Sequence, residues 1–150
     1  MSLYSIALFL HVVGAVLLFV LLTIEGLGLQ RGFDTASMNR VLGPITAAAI
    51  FIPGLYMAAI SWGFIPWIVV GVTTYVAIAI LGAITGVSVL RGRMGRDAAT
   101  LSWLARVGLA LGVLFDMTVK PGAVVSVVAV LVGLVIGAGV ARFRREAKAA

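Results

Sequence analysis

Four ionisable side chains stand inside long apolar stretches of this sequence: His11, Glu25, Arg106 and Asp116. A charged or titratable group is costly at membrane depth, so each is a candidate for proton transfer, ion conduction or ligand binding until a structural partner accounts for it. His11 and Glu25 lie fourteen positions apart, which at 100° per residue puts them within about 40° of one helix face and about 21 Å apart along the axis. Both therefore point into the same interface. On a fourth, antiparallel helix Arg106 falls at the depth of Glu25 and Asp116 near the depth of His11. The expected constellation is a pair of contacts, Glu25 to Arg106 and His11 to Asp116, with Lys120 competing for Asp116 from one helical turn away. A blander assignment has Arg106 snorkelling to headgroups, Asp116 pairing only with Lys120, and Glu25 reaching interfacial water.

The surrounding sequence has to position these groups in lipid. Hydrophobic residues make up 63% of the 150 positions and charged residues 11%, and the mean hydropathy is +1.22. That leaves too little polar surface to coat a soluble globule. Eleven Lys and Arg against five Asp and Glu give a net charge of +6. The basic residues flank apolar runs instead of forming one patch, which points to membrane lipid as the partner and away from nucleic acid. The chain has no Cys, so thiolate metal sites, iron–sulfur clusters and cysteine nucleophiles are excluded.

The fold expected is a single all-α domain, a polytopic transmembrane helix bundle with spans at about 3–29, 41–60, 66–90, 101–119 and 123–141. The first apolar stretch has neither a basic leader nor a cleavage site and reads as a retained helix. Gln30 to Asn39 is expected as a polar connection, with Asp34 or Thr35 as a cap and Pro44 in the first turn of the second helix. Pro53-Gly54 lies inside that helix, where the ring meets the Ala49 carbonyl and is expected to kink it. Ser61-Trp62-Gly63 and Lys120-Pro121-Gly122 read as turns. A four-span alternative lays 101–119 on the surface.

Five crossings gather Arg31, Arg40, Arg91, Arg93, Arg96, Arg142, Arg144, Arg145 and Lys148 on one side and leave Lys120 on the other. The positive-inside rule then puts the N-terminus outside and the C-terminus in the cytoplasm, and a four-span chain would expel the basic tail. Tyr4, Tyr56, Trp62 and Trp67 belong to the outer edge, Trp103 and Phe143 to the inner one. Gly82 and Gly86, Gly108 and Gly112, and Gly133 and Gly137 are each four apart, the spacing of close helix contacts within the monomer or across a homo-oligomer.

Cofactor chemistry has thin support. One His per chain excludes bis-histidine haem ligation in a monomer and leaves His11 with Met117 or Met57, or a haem b shared between copies. A metal site lacks ligands, and no nucleophile, base and orienting group suggest hydrolysis.

Two segments carry a family likeness. Leu10-His11-Val12-Val13-Gly14-Ala15 followed by Glu25, and Arg106-Val107-Gly108-Leu109-Ala110-Leu111-Gly112 leading to Met117-Thr118-Val119-Lys120-Pro121-Gly122, resemble an uncharacterised family of small bacterial integral membrane proteins with a domain of unknown function. The resemblance extends over most of the chain and implies a membrane fold with roles for His11, Glu25, Arg106 and Lys120. It also implies an apolar residue where Asp116 stands, which would make an outer His11 to Asp116 contact particular to this chain. The His-x-x-Gly-Ala opening is distantly similar to the first helix of copper-resistance-D-type membrane proteins, but the Cys and additional His that a copper pathway would use are missing. The resulting expectation is a non-enzymatic, multi-pass protein of a bacterial inner membrane, an accessory or structural subunit of a membrane complex. The alternatives are a small proton-coupled or ion translocator using the intramembrane His, Asp, Glu and Arg, and a haem-bearing electron-transfer subunit.

Overall fold

The computed structural model describes residues 2–149, with side chains through residue 143; the basic tail residues Arg144, Arg145 and Lys148 lie outside the described side chains. The chain is all-helical: α1 (Leu3–Arg31), α2 (Ala36–Met57) running into a π turn (Ala58–Trp62), α3 (Pro66–Leu90), α4 (Arg96–Val119) and α5 (Ala123–Ala149). Among the described residues five helices are long and apolar enough to cross a membrane. The segment 101–119 belongs to a full-length helix packed inside the bundle, and the surface-lying alternative is set aside.

The helix ends are built by local chemistry. Ser2 caps α1 by accepting from the Ser5 amide at 3.2 Å, and Gly32 ends it in the left-handed conformation at φ 80°, where a Cβ would be strained. The Asp34 carboxylate accepts from the Ala36 amide at 2.8 Å and starts α2; Thr35 makes no side-chain cap bond. Pro66 occupies the first turn of α3, where no amide donor is needed.

Several expected boundaries shift. The connection between α1 and α2 is residues 32–35, not Gln30 to Asn39, and α4 begins at Arg96 instead of Leu101. The reason is common to both: polarity marks where hydrocarbon ends, whereas a helix continues into the headgroup region until a cap stops it. Pro44 consequently falls well inside α2 rather than in its first turn. The Arg40 carbonyl that it deprives of a donor lies at the polar, exposed end of the helix. Ser61 and Trp62 are the end of the π turn, closed by the Gly63 amide donating to the Ala58 carbonyl at 2.7 Å. The chain then reverses at Gly63, with φ 68°.

Helix α4 is the hub, packed against α5, α3 and α1, while α2 leans chiefly on α1. Leu22, Ile78, Leu109, Ala110 and Val130 form the central core where α1, α3, α4 and α5 meet. The closest approach is between α4 and α5: a Cβ on Gly108 would strike the Gly133 carbonyl, one on Gly112 would lie 2.8 Å from Val130 Cα, and one on Gly137 would strike the Leu104 carbonyl. The four-residue glycine spacing of these helices is thus used within one chain. Gly86 differs, since a Cβ there meets open space. The rest of α5 presents Val124, Val128, Leu131, Val135 and Ile136 outward, a face suited to lipid.

Gly108→Val should therefore lower stability by about 1–3 kcal/mol, because backbone opposite it cannot retreat without separating the helices. Gly86→Ala should leave the melting temperature unchanged or raise it. Thermal unfolding of both variants in detergent, followed by circular dichroism, checks the contrast.

Candidate functional site

The first polar cluster lies toward the arginine-rich end of the bundle. Arg106 Nη1 donates to Glu25 Oε2 at 3.0 Å, and Nη2 donates to Oε1 in a second, short contact, making a two-pronged ion pair between α4 and α1. Asn39 of α2 adds a long contact, its amide nitrogen 3.5 Å from Glu25 Oε2. Gly82 of α3 makes the space: a Cβ there would stand 3.3 Å from Arg106 Nη1. Four helices thus meet around one guanidinium that is 5% exposed. The pair is reinforced alongside, where Trp103 Nε1 donates to the Leu22 carbonyl at 2.7 Å. Beside it Thr85 and Ser102 share a 2.6 Å hydroxyl contact.

Glu25 also borders a pocket of about 360 Å³ lined by Asp34, Thr35, Asn39, Thr85 and Arg96. At the mouth of this end, Arg96 Nη2 donates to the Gln30 carbonyl at 2.7 Å and ties α4 to the end of α1. Arg106 Nε and Asn39 Oδ1 are buried without a hydrogen-bonded partner. Arg106 does not snorkel.

The expected contact between His11 and Asp116 does not form. His11 instead places Nδ1 2.8 Å from the Ile50 carbonyl of α2, and because a carbonyl only accepts, Nδ1 carries the proton. The partner has a reason in the sequence. Pro53 has no amide hydrogen and its ring crowds the preceding turn, loosening the carbonyls at positions 49 and 50. An imidazole from the next helix satisfies one of them. Gly54 admits it, since a Cβ there would lie 3.0 Å from His11 Cε1, and α2 runs through Pro53 as continuous helix.

Asp116 and Ser126 are both fully enclosed, at 0% exposure. They face each other across α4 and α5 but outside hydrogen-bond geometry, so both Asp116 oxygens and Ser126 Oγ lack a partner among the described residues. Gly71 of α3 closes the third side, where a Cβ would sit 3.4 Å from Asp116 Oδ2. Lys120 does not compete for this carboxylate. Its backbone takes the left-handed conformation at φ 53° and caps α4 by donating to the Asp116 carbonyl at 2.9 Å. The ammonium lies over the Trp62 ring, 4.3 Å from its centroid, and Trp62 packs edge-on against Trp67 with centroids 5.7 Å apart. This cation–π contact replaces the i, i+4 ion pair because the cap turns the Lys120 side chain away from α4.

Between these features, toward the Lys120 end, α1 and α2 part from α3 and α4 around a cavity of about 580 Å³. Its wall is almost wholly apolar and includes His11, Met57 and Met117, so the haem ligands expected within one chain border a common space. Among the described residues no three His, Asp or Glu side chains gather into a metal site.

Asn39 and Gly82 were not legible as partners of the ion pair. Asn39 lies in what reads as a polar connection, and Gly82 reads as half of a packing motif. Tyr75, on the cavity wall, had no signal in the sequence beyond its being a polar-tipped residue mid-span.

Glu25→Leu should destabilise the protein by about 3–5 kcal/mol by stranding a buried guanidinium. The double change Glu25→Leu with Arg106→Met should recover most of that loss. A double-mutant cycle from unfolding in mixed micelles reads the coupling, and a double variant no more stable than Glu25→Leu alone would sink it.

No family model, curated protein or solved structure matches this chain.

Proposed function

We propose that this multi-pass membrane protein is a non-catalytic accessory or structural subunit of a membrane complex in a bacterial inner membrane, with its N-terminus outside, the orientation that the distribution of Lys and Arg between the two ends of the bundle favours. The observation that supports the reading is where the ionisable groups of the bundle spend their interactions. Glu25 and Arg106 occupy each other through two contacts. His11 holds a backbone carbonyl, and Lys120 caps a helix and covers an indole. Groups that relay protons or ions must release one partner to take the next; these hold partners that fix one helix against another.

Asp116 favours the second reading, a translocator, because its carboxylate oxygens are enclosed without hydrogen-bonded partners. Against it stands the dry packing of Gly71 and Ser126 around the same group. A carrier needs an aqueous route on at least one side.

Two measurements test the reading. Proteoliposomes carrying an internal pH dye should dissipate an imposed potassium diffusion potential no faster than empty vesicles, and Asp116→Cys, in a chain with no native Cys, should resist impermeant thiol reagents from both sides. Proton flux abolished by Asp116→Asn, or labelling from one side, moves the assignment to a translocator. On native gels from mildly solubilised membranes the chain should migrate within a larger assembly of fixed stoichiometry; migration at single-chain mass defeats the subunit role.

A further inference from the structure

The cavity at the Lys120 end has the size and character of a small-molecule site: about 580 Å³, apolar, with few polar atoms on its wall. Most of those polar atoms are already engaged. Tyr4 Oη accepts from Trp62 Nε1 at 3.4 Å, the Thr118 hydroxyl donates to the Leu114 carbonyl at 2.8 Å, and Lys120 lies over Trp62. Below the mouth two remain. Tyr75 Oη makes no hydrogen bond among the described residues, and neither does His11 Nε2, whose ring is held from the other side by Ile50. Neither atom is sealed in protein, because the enclosed orphans are confined to other side chains.

The two residues that carry them share a depth. His11 stands eight residues after Leu3 and Tyr75 nine after Pro66, about 12 and 14 Å along helices that begin at the same end of the bundle. Their chemistry is complementary and fixed. Where Nδ1 carries the imidazole's one proton, Nε2 is an acceptor, while the phenol of Tyr75 offers a donor. A group that donates once and accepts once satisfies both, and a hydroxyl is the simplest such group. A carboxylate fits less well, since it cannot donate to Nε2 and the one cation on the wall, Lys120, is turned to the mouth.

We propose that this cavity binds a lipophilic molecule bearing a hydroxyl head, its O–H donating to His11 Nε2 and its oxygen accepting from Tyr75, with the apolar body lying along Ala15, Phe19, Leu114 and Met117. The site is independent of the subunit role, and neither stands on the other. Two sources share this chemistry: a long-tailed phenol and an aliphatic alcohol of the lipid pool.

The test uses full-length protein in nanodiscs, with 4-nonylphenol, its methyl ether and 1-dodecanol as probes, read by the fluorescence of Trp62 and Trp67 at the cavity. The phenol should bind at least threefold to tenfold more tightly than its ether, which cannot donate. Tyr75→Phe, which keeps the ring in place, should weaken the phenol by a similar factor with its melting temperature retained. Ala15→Phe, which fills the cavity, should abolish binding. Preference for the phenol over dodecanol assigns a phenolic ligand, and equal binding assigns a lipid alcohol; both support the site. Equal binding of phenol and ether, binding unaffected in both variants, or no binding by any probe overturns it.

Discussion

A guanidinium enclosed by apolar helices has to be neutralised where it stands, and the position of Arg106 imposes that condition on most of this fold. Its carboxylate partner comes from α1, its space from Gly82 of α3, and a further contact to that carboxylate from Asn39 of α2. The pair is charge-assisted and two-pronged, so it sets distance and orientation together. A sliding of α1 along α4 by one residue, about 1.5 Å, would break both prongs. What the ion pair contributes to net stability is smaller than what it contributes to register, since desolvation offsets much of the Coulombic gain.

The two ends of the bundle follow from that clamp. On the arginine-rich side, α1 and α4 are held by Glu25 with Arg106, by Trp103 with Leu22 and by Arg96 with the end of α1. Toward Lys120 no comparable bond joins them among the described residues, and the space between is the cavity. There α1 turns its polar group to α2. His11 repairs the backbone disturbed by Pro53, which makes a histidine and a proline on different helices one structural unit. Helix α4 remains in place because α5 grips it through glycine, with backbone against backbone at Gly108 and Gly133 in mid-span and Gly112 against Val130 nearer Lys120. In lipid such contact replaces the hydrophobic drive that would hold two helices together in water.

Hydropathy, charge and helix-breaking residues determined a great deal: an all-helical membrane bundle, five spans, the turn at Lys120 and the start of α3 at Pro66. These are legible because lipid imposes one-dimensional rules. A span must be apolar for about 20 residues, and every backbone group within it must be satisfied by helix. The alignment of Glu25 with Arg106 was legible for a related reason, since antiparallel helices of fixed rise convert sequence position into depth.

Depth is all that such arithmetic supplies. It matched His11 with Asp116 as readily as Glu25 with Arg106, and only the first pairing is absent, because which neighbour a helix face meets depends on how the helices splay around the bundle. The cavity, the turn of Lys120 toward two indoles, the enclosure of Asp116 against Ser126 and the union of His11 with the carbonyl near Pro53 all depend on azimuth and tilt. Those quantities come from the packing of glycine against backbone and of one guanidinium into its pocket, contacts between residues far apart in the chain. The sequence by itself therefore determined the solvent, the number of crossings and the depth of each polar group, and only the tertiary structure decided which of those groups meet.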